Sequence, residues 1–284
     1  MKYLIVAGLC TLATAKVTVQ GAYSKKNIKT VSDATLFNGL IFFFAALLFL
    51  GQAIYGDWEI WLFSVMFGAL SVVFQICYSK ALSIGNTSVI VLIVNLSMLI
   101  PIAVSVFAFK ESLSVSRMIG ILLTLVTFFV VVDVEKTKKH NLKWILLAMA
   151  AMFANGAIGV TQKLFGKSEW SAQGGTFVSR SYIVAAAVSM VAYLLLKRKE
   201  PVSRKLTHVT FCYAAVTGII LAVFQLFNTY AITTVNGTFL FPAYSGGSII
   251  LSTISGLLIF KERLNVRQII GITIGAVALI LMNF

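Results

Sequence analysis

Ten stretches of this chain are almost continuously apolar and are separated by short polar connections. A helix needs about 20 predominantly apolar residues to cross the roughly 30 Å hydrocarbon core of a bilayer, because no water is available there to satisfy its backbone. The sequence therefore predicts an all-α integral membrane protein with ten transmembrane helices. The ten stretches are residues 3–24, 34–55, 60–82, 87–109, 117–134, 144–165, 173–196, 207–232, 236–260 and 268–283.

The composition supports this class. Of the 284 residues, 59% are hydrophobic and 11% are charged, whereas a soluble domain has about 25% charged residues. All four tryptophans lie at or beside the ends of the apolar stretches, where amphipathic rings favour the membrane interface. A soluble protein is therefore excluded, and we expect a multi-pass protein of the cell membrane with the lipid bilayer as its surroundings. The tryptophans are Trp58, Trp61, Trp144 and Trp170.

The first apolar stretch has two interpretations. Met1-Lys2, an apolar run and the residues Ala13-Thr14-Ala15 are typical of a signal peptide with a cleavage site. The apolar run continues beyond Ala15, however, and a first helix is needed to complete the repeat described next. We interpret the stretch as a transmembrane helix, with removal as a signal peptide as the alternative.

The chain contains an internal duplication. Residues 68–86 match residues 218–236 at a shift of 150 positions, and Phe109-Lys110-Glu111 matches Phe260-Lys261-Glu262 at a shift of 151. Two five-helix repeats follow, over residues 1–135 and 142–284. Because five is an odd number, the repeats must run in opposite directions through the membrane. This inverted arrangement is that of secondary transporters, which bind substrate near the bilayer midplane; chance similarity of apolar helices is the alternative.

The last two apolar stretches carry a recognisable motif. The run from Phe241 to Gly247, Phe-Pro-Ala-Tyr-Ser-Gly-Gly, followed by Phe260-Lys261-Glu262 and Ile270-Gly271, resembles the last two helices of small multidrug resistance proteins. The whole duplicated chain resembles the EamA-like members of the drug/metabolite transporter superfamily. This resemblance implies an alternating-access carrier of small metabolites with a cavity between its halves, and it leaves the substrate open.

One residue departs from the pattern of the small multidrug resistance proteins. Those proteins have a glutamate in their first helix that binds cations and protons. The equivalent positions here are Lys16 in the first half and Asn155 in the second. The replacement argues against cation/proton antiport by such a glutamate, and the coupling ion stays unspecified.

Basic residues lie inside the apolar stretches, whereas acidic residues do not. Lys16, Lys80 and Arg180 are within predicted helices, and all nine acidic residues are near helix ends or in loops. Charges inside a membrane usually face a cavity, so we predict a cavity that binds a carboxylate or phosphate. The alternative is that these long side chains extend to the interface.

Polar residues recur at helical spacing and are candidates for lining the cavity. Side chains three or four positions apart share one helix face, and Gln75 and Gln225 occupy equivalent places in the two repeats. Hydrogen bonds between helices, worth about 1 kcal/mol or less each, are the alternative role. Gly246 and Gly247 are candidates for a hinge or for close helix packing. The predicted substrate-binding residues are Lys16, Gln20, Gln75, Tyr78, Asn95, Asn155, Gln162, Arg180, Gln225, Asn228 and Tyr244.

The predicted function is secondary transport by alternating access, most simply export of amino-acid-like or other anionic or zwitterionic solutes. A transporter of cationic drugs or quaternary ammonium compounds is the alternative within this class. A membrane-embedded enzyme or a scaffold is the alternative from another class. The only histidines, His140 and His208, are isolated near loops, so we expect no catalytic site.

We expect no cofactor, no metal and no nucleic-acid partner. Cys10, Cys77 and Cys212 all lie in apolar runs, and no Gly-x-x-x-x-Gly-Lys-Ser/Thr pattern for nucleotide binding occurs. The net charge of +14 is distributed over short loops, which suits anionic lipid headgroups better than a nucleic acid. A small-molecule substrate is the expected partner, and a monomer and a homodimer are both compatible with ten helices.

The loops differ in basic charge. Loops one, three, five, seven and nine carry fifteen Lys and Arg residues, and the termini with the even-numbered loops carry five. The positive-inside rule then predicts both termini outside the cytoplasm, whereas the family resemblance implies both inside.

Overall fold

The computed structural model describes residues 2–109, 114–131, 142–198, 207–234, 237–262 and 264–281, and in these residues it contains helices and no strand. Besides a short helical segment, Leu50–Ala53, which follows the second helix, each predicted apolar stretch contains one long helix, and in the stretch 87–109 this helix is divided into two segments. We number them α1 (Lys2–Asn27), α2 (Val31–Leu48), α3 (Ile60–Ile84), α4 (Thr87–Asn95 and Leu99–Phe109), α5 (Val115–Val131), α6 (Lys143–Gly166), α7 (Gly174–Leu196), α8 (His208–Thr234), α9 (Gly237–Leu258) and α10 (Val266–Leu281).

Seven of the described helices are long and apolar enough to cross a membrane, namely α1 to α4 and α6 to α8. Helices α9 and α10 contain shorter apolar segments, Gly246–Leu258 and Ile269–Ala278. Helix α5 has 17 residues and adjoins a part of the chain outside the described residues. The predicted all-α membrane class is confirmed, and the count of ten crossings stays a prediction.

The surface and the interior have the polarity expected of a protein in lipid. Large apolar side chains such as Leu62 and Phe107 are 67% and 85% exposed, whereas Gln20, Asn38 and Ser79 are fully buried. Lipid offers no partner for a polar group, so polar side chains gain by turning inward and pairing between helices. The protein therefore has an apolar surface for lipid, and its buried polar side chains pair within a core that also contains large apolar clusters.

Helix α2 begins and ends at residues whose chemistry explains its limits. Thr30 and Asp33 form a capping box, in which the Thr30 side chain accepts the Asp33 backbone N–H at 3.1 Å and the Asp33 carboxylate accepts the Thr30 N–H at 2.9 Å. The helix stops at Leu48, and the chain turns at Gly56 with a φ of +99°. The predicted helix over 34–55 was therefore too long at its end, because a left-handed φ suits only glycine readily.

Helix α4 is interrupted, which the prediction of one continuous helix over 87–109 did not include. A 3₁₀ turn, Leu96–Met98, joins its two segments. Pro101 follows in the second segment and has no N–H to donate to the carbonyl of Ser97, so the α-helical hydrogen bonding is broken at this point. The break brings Asn95 and Ser97 into the interior, where both contribute to the site described below.

Helices from the two halves of the chain interlock. Helix α3 packs on α6 and α7, and α8 packs on α1 and α2. A Cβ on Gly68 would lie 2.6 Å from the Ser181 carbonyl oxygen, and a Cβ on Gly218 would lie 2.6 Å from the Ile41 carbonyl oxygen. The same close crossing thus occurs twice, once between α3 of the first half and α7 of the second, and once between α8 of the second half and α2 of the first. Helices α5 and α10 pack on each other beside this bundle.

Candidate functional site

A polar cavity lies between the two halves. Its volume is about 120 Å³, well above the roughly 10–15 Å³ that a single water needs, so it has room for a small solute. Its polar lining residues come from α1, α3, α4, α6, α7, α8 and α9, and they are Thr14, Lys16, Ser71, Gln75, Tyr78, Asn95, Asn155, Tyr182, Gln225, Tyr244, Ser248 and Ser252.

Lys16 provides the positive charge of the cavity. It is 8% exposed, and its Nζ lies 5.3 Å from the centre of the Phe74 ring and 5.8 Å from that of Tyr78. These are cation–π contacts, which compensate only part of the lost hydration of an ammonium group. No acidic residue lines the cavity among those that the structure describes. The site therefore offers an ammonium group without a counter-charge.

Aromatic rings form much of the remaining wall. Phe224 and Tyr244 pack with their ring centres 5.7 Å apart, and Phe74 and Tyr78 stack at 5.3 Å. Flat, rigid rings bind apolar groups at little cost in conformational entropy. The aromatic lining residues are Phe42, Phe67, Phe74, Tyr78, Tyr182, Phe224 and Tyr244.

Asn95 and Asn155 face the cavity from the break in α4 and from α6. The Asn95 amide donates to the Val91 carbonyl at 2.8 Å, and its oxygen lies 3.5 Å from the Ser248 hydroxyl. The Asn155 amide donates to the Ser97 hydroxyl at 2.7 Å. The break in α4 thus positions two neutral amides beside the cavity, where they can bind the polar atoms of a ligand.

Gln75 and Gln225 both line the cavity, as the repeat predicted for them, but their surroundings differ. The Gln75 oxygen accepts a hydrogen bond from the Gln20 amide at 3.0 Å. The Gln225 amide nitrogen has no hydrogen-bond partner within the described ranges, although the residue is 6% exposed. A buried donor without a partner costs about 1–3 kcal/mol, so the Gln225 amide is available to a ligand.

Gln20, Gln162 and Asn228 are buried but do not line the cavity. Gln20 instead belongs to a network between α1, α2 and α3, in which its amide donates to Ser79 at 2.8 Å and the Asn38 amide donates to Ser79 at 2.9 Å. Helical spacing alone did not separate these residues from their neighbours that line the cavity, and a substrate contact by them stays a prediction.

The structure also places Arg180 away from the cavity, which corrects the expectation that it faces substrate. Its guanidinium donates to the carbonyl oxygens of Ala53, Tyr55, Gly56 and Asp57 at 2.6–3.1 Å. These carbonyls belong to the turn after α2, in which Ala53 ends the short helical segment Leu50–Ala53 and the other three residues follow it without helical structure. Arg180 holds this turn, and the positive charge of the cavity is left to Lys16.

The glycines of α9 have different environments. Tyr244 lines the cavity, and its carbonyl lies 3.5 Å from the Cys10 sulfur. A Cβ on Gly247 would lie 2.5 Å from that sulfur. Gly247 therefore allows close packing of α9 on α1, and Gly246 is buried next to it. The hinge role predicted for the pair stays a prediction.

Sequence reasoning missed several lining residues. Thr14, Ser248 and Ser252 face the cavity, although small hydroxyl residues in apolar helices gave no signal that separated them from ordinary packing.

Sequence reasoning also missed an ion pair outside the cavity. Glu262 was noted only as part of the duplication, yet its carboxylate is buried and ion-paired with Lys25 at 2.5 Å. The recurrence of Phe-Lys-Glu could have identified it.

The described part of the chain contains no group of three or more His, Cys, Asp or Glu side chains that could hold a metal ion. The cavity instead combines one ammonium group, neutral amides and hydroxyls, and aromatic rings. Such a set can bind and release a small solute.

Comparison with known proteins agrees with this arrangement. The EamA-like transporter family matches residues 3–133 and again residues 142–284, so one family unit occurs twice and covers nearly the whole chain. The chain belongs to the EamA-like transporter family. It is thus a member of the drug/metabolite transporter superfamily and an integral membrane protein, as the sequence indicated.

Two individual proteins resemble this EamA-like chain. An uncharacterized protein of Haemophilus influenzae is 30% identical over 186 residues, which are 63% of this chain and 60% of that protein. The alignment thus spans less than two thirds of that relative's length. A crystal structure that is 15% identical matches 99% of this chain and 96% of its own, with a TM-score of 0.69. At that identity the similarity shows a shared fold alone.

Proposed function

We propose that this EamA-like protein is a secondary transporter that moves a small organic anion or zwitterion, such as an amino acid, by alternating access. The observation that carries the proposal is Lys16, a buried ammonium group in a cavity that has no acidic lining residue in the described part of the chain. A buried charge is strongly destabilising unless it is paired. A substrate carboxylate supplies the missing partner.

The rest of the lining suits the remainder of such a substrate. The unpartnered amide nitrogen of Gln225 and the amides of Asn95 and Asn155 bind polar atoms, and the aromatic wall binds an apolar side chain. The volume of about 120 Å³ has room for a small solute, and an amino acid belongs to this class.

A cationic drug or quaternary ammonium compound is the second candidate, because aromatic rings attract cations. In this cavity, however, Lys16 already lies over Phe74 and Tyr78. A cationic substrate would have to enter next to a like charge without any acidic residue from the described lining to compensate it. This arrangement favours an anion over a cation.

The proposal also includes the topology. We propose ten membrane crossings in two repeats, over residues 1–135 and 142–284, that run in opposite directions. The twice-occurring glycine crossing of Gly68 on α7 and Gly218 on α2 supports a two-fold relation between the repeats, and a two-fold relation between units of five helices implies inversion. The excess of basic residues in odd-numbered loops supports a cell-membrane protein with both termini outside. One chain supplies the whole cavity, so a monomer suffices.

Uptake into proteoliposomes tests the proposal. Purified protein is reconstituted and a panel of labelled amino acids, carboxylates and organic cations is offered. We expect uptake that organic anions or zwitterions compete for, and we expect Lys16→Met to lower it at least tenfold, since a charge-assisted hydrogen bond is worth about 1.5–3 kcal/mol.

Lys26→Met is the matched control, because Lys26 lies on the same helix and is exposed. It should transport like the unaltered protein. Competition by cations alone, or unchanged anion uptake by the Lys16→Met variant, would contradict the proposal.

A further inference from the structure

A buried carboxylate ties three helices together at one end of the bundle. Glu262 follows α9, and its Oε1 accepts hydrogen bonds from Lys25 Nζ at 2.5 Å and from the Thr87 backbone N–H at 2.7 Å. Its Oε2 accepts from the backbone N–H and the hydroxyl of Ser88 at 3.3 and 3.2 Å. We call Lys25, Thr87, Ser88 and Glu262 the latch. It connects the end of α1, the start of α4 and the end of α9.

The chain around Glu262 is folded to present its carboxylate. The Glu262 N–H donates to the Gly256 carbonyl at 3.0 Å, and Lys261 has a φ of +50°, a left-handed conformation that a non-glycine residue seldom adopts. A Cβ on Gly256 would collide with the Ser88 hydroxyl and the Glu262 carboxylate. The turn thus closes the carboxylate onto the first N–H groups of α4, where the helix dipole favours a negative charge.

Further contacts close the same end between α1 and α9. The Thr18 and Ser255 hydroxyls lie 2.7 Å apart, the Lys25 Nζ lies 4.5 Å from the centre of the Phe260 ring, and a Cβ on Gly21 would lie 3.1 Å from that ring. Thr18 is one turn beyond Thr14, which lines the cavity. The latch and these contacts therefore lie between the cavity and one face of the membrane.

The polar network below the latch has an equivalent at the other end of the bundle, and the two differ. Gln20 and Gln75 are hydrogen-bonded in the first repeat. Their repeat counterparts, Gln162 and Gln225, are buried, but neither amide nitrogen has a partner within the described ranges. In inverted repeats these counterparts lie towards the opposite membrane face. The Gln20 amide is thus hydrogen-bonded where the amide nitrogens of Gln162 and Gln225 are not; Glu111, the repeat counterpart of Glu262, lies outside the described residues.

From these contacts across the end of the bundle we infer that the latch is the gate of one mouth of the carrier, and that the structure shows this mouth closed. The inference rests on the proposed alternating access. Opening the mouth requires Glu262 to leave Lys25 and the start of α4, so that α9 can separate from α1. The loops after α1 and α9, which the latch joins, are among the odd-numbered loops that carry the excess of Lys and Arg.

Thiol accessibility tests the gate. Cys10, Cys77 and Cys212 are replaced, and a single reporter is introduced as Val91→Cys, since Val91 lines the cavity beyond the latch. Membrane-impermeant maleimide is added to right-side-out and to inverted vesicles. The variants Lys25→Met and Glu262→Gln remove the ion pair, and Lys26→Met is the control with an exposed lysine on the same helix.

We expect labelling from the latch side to rise roughly tenfold in Lys25→Met and in Glu262→Gln, the factor for one charge-assisted hydrogen bond, and to stay unchanged in Lys26→Met. Lys25 is only partly buried, so its replacement leaves the fold testable even where Glu262→Gln lowers the yield. If both variants are labelled only as fast as the protein with the unaltered latch, the inference is overturned.

Uptake measured on the same vesicles separates the two proposals. Increased labelling without uptake of any organic anion supports the gate and contradicts the proposed transport. Normal uptake with unchanged labelling in both latch variants contradicts the gate alone.

Discussion

The guanidinium of Arg180 stacks on Trp61, with its Cζ 5.0 Å from the centre of the indole ring. Arg180 also donates hydrogen bonds to four carbonyl oxygens of the turn after α2. A planar fork with five donors makes this arrangement feasible, and a lysine cannot reproduce it. Arg180 therefore joins α7, the start of α3 and a turn that has no regular hydrogen bonding of its own.

We predict that Arg180→Met lowers stability by about 1.5–3 kcal/mol, because it removes the charge-assisted hydrogen bonds that the buried guanidinium donates to the turn. Arg180→Lys should lower the stability by a smaller amount. The melting temperature in detergent measures both, and Arg198→Met, an exposed position on the same segment, should leave it unchanged. Since Arg180 does not line the cavity, the KM of the folded fraction should not change. An altered preference between anions and cations with normal melting would contradict this role.

The two glycine crossings give a second prediction. Gly68→Ala and Gly218→Ala should each lower stability by about 1–3 kcal/mol, the usual cost of overpacking, because each added methyl would meet a backbone oxygen at 2.6 Å. Gly8→Ala is the control, since nothing lies within 4 Å of its Cβ position. Thermal denaturation of the three variants measures the difference. Equal melting of all three would show that the crossings are looser than the structure indicates.

A reversible cross-link gives a third prediction. Thr18→Cys with Ser255→Cys places two sulfurs where hydroxyls now lie 2.7 Å apart, which is close to disulfide geometry. Oxidation of this double variant, in a background without the native cysteines, should abolish uptake by holding α1 on α9, and reduction should restore it. Each single variant should be insensitive to oxidant. Continued uptake by the fully cross-linked protein would mean that α1 and α9 need not separate.

The response of the latch to pH gives a fourth prediction. Burial raises the pKa of the Glu262 carboxyl, but the hydrogen bonds from Lys25 and Thr87 and the Lys25 charge outweigh it, so the pKa lies below its ordinary value. A lowered carboxyl pKa contributes stability that persists above the ordinary value and is lost only as pH falls through the folded one. Labelling of the Val91→Cys reporter from the latch side, divided at each pH by the labelling of the same reporter in the Lys25→Met variant, should therefore stay constant between about pH 8 and about pH 5.5. The division removes the pH dependence of the thiolate itself. A rise of this ratio near pH 6 would contradict an ionised latch.

The membrane fold could be predicted because hydropathy is a sum over about 20 residues and tolerates local exceptions. The exceptions are visible in the structure. Helix α4 is broken before Pro101, which lacks the N–H that the carbonyl of Ser97 would accept, and α2 ends well before Gly56. Pro101 and Gly56 are both present in the sequence, and proline and glycine are strong signals for an irregular backbone.

The cavity could be predicted only in part. Lys16, Gln75 and Gln225 line it. For Gln75 and Gln225, their equivalent places in the two repeats gave information that a single helix does not contain. Arg180 is equally deep in its helix but faces the turn after α2. Sequence gives the depth of a residue and its angle relative to neighbours on the same helix, whereas the direction of that face depends on the packing of the other helices.

The glycine crossings described above also constrain which parts of the protein can move as bodies. The backbone contacts of α3 with α7 and of α8 with α2 join helices from different repeats without space for sliding side chains. The rigid units of the carrier are therefore mixed, each assembled from both copies of the duplicated segment.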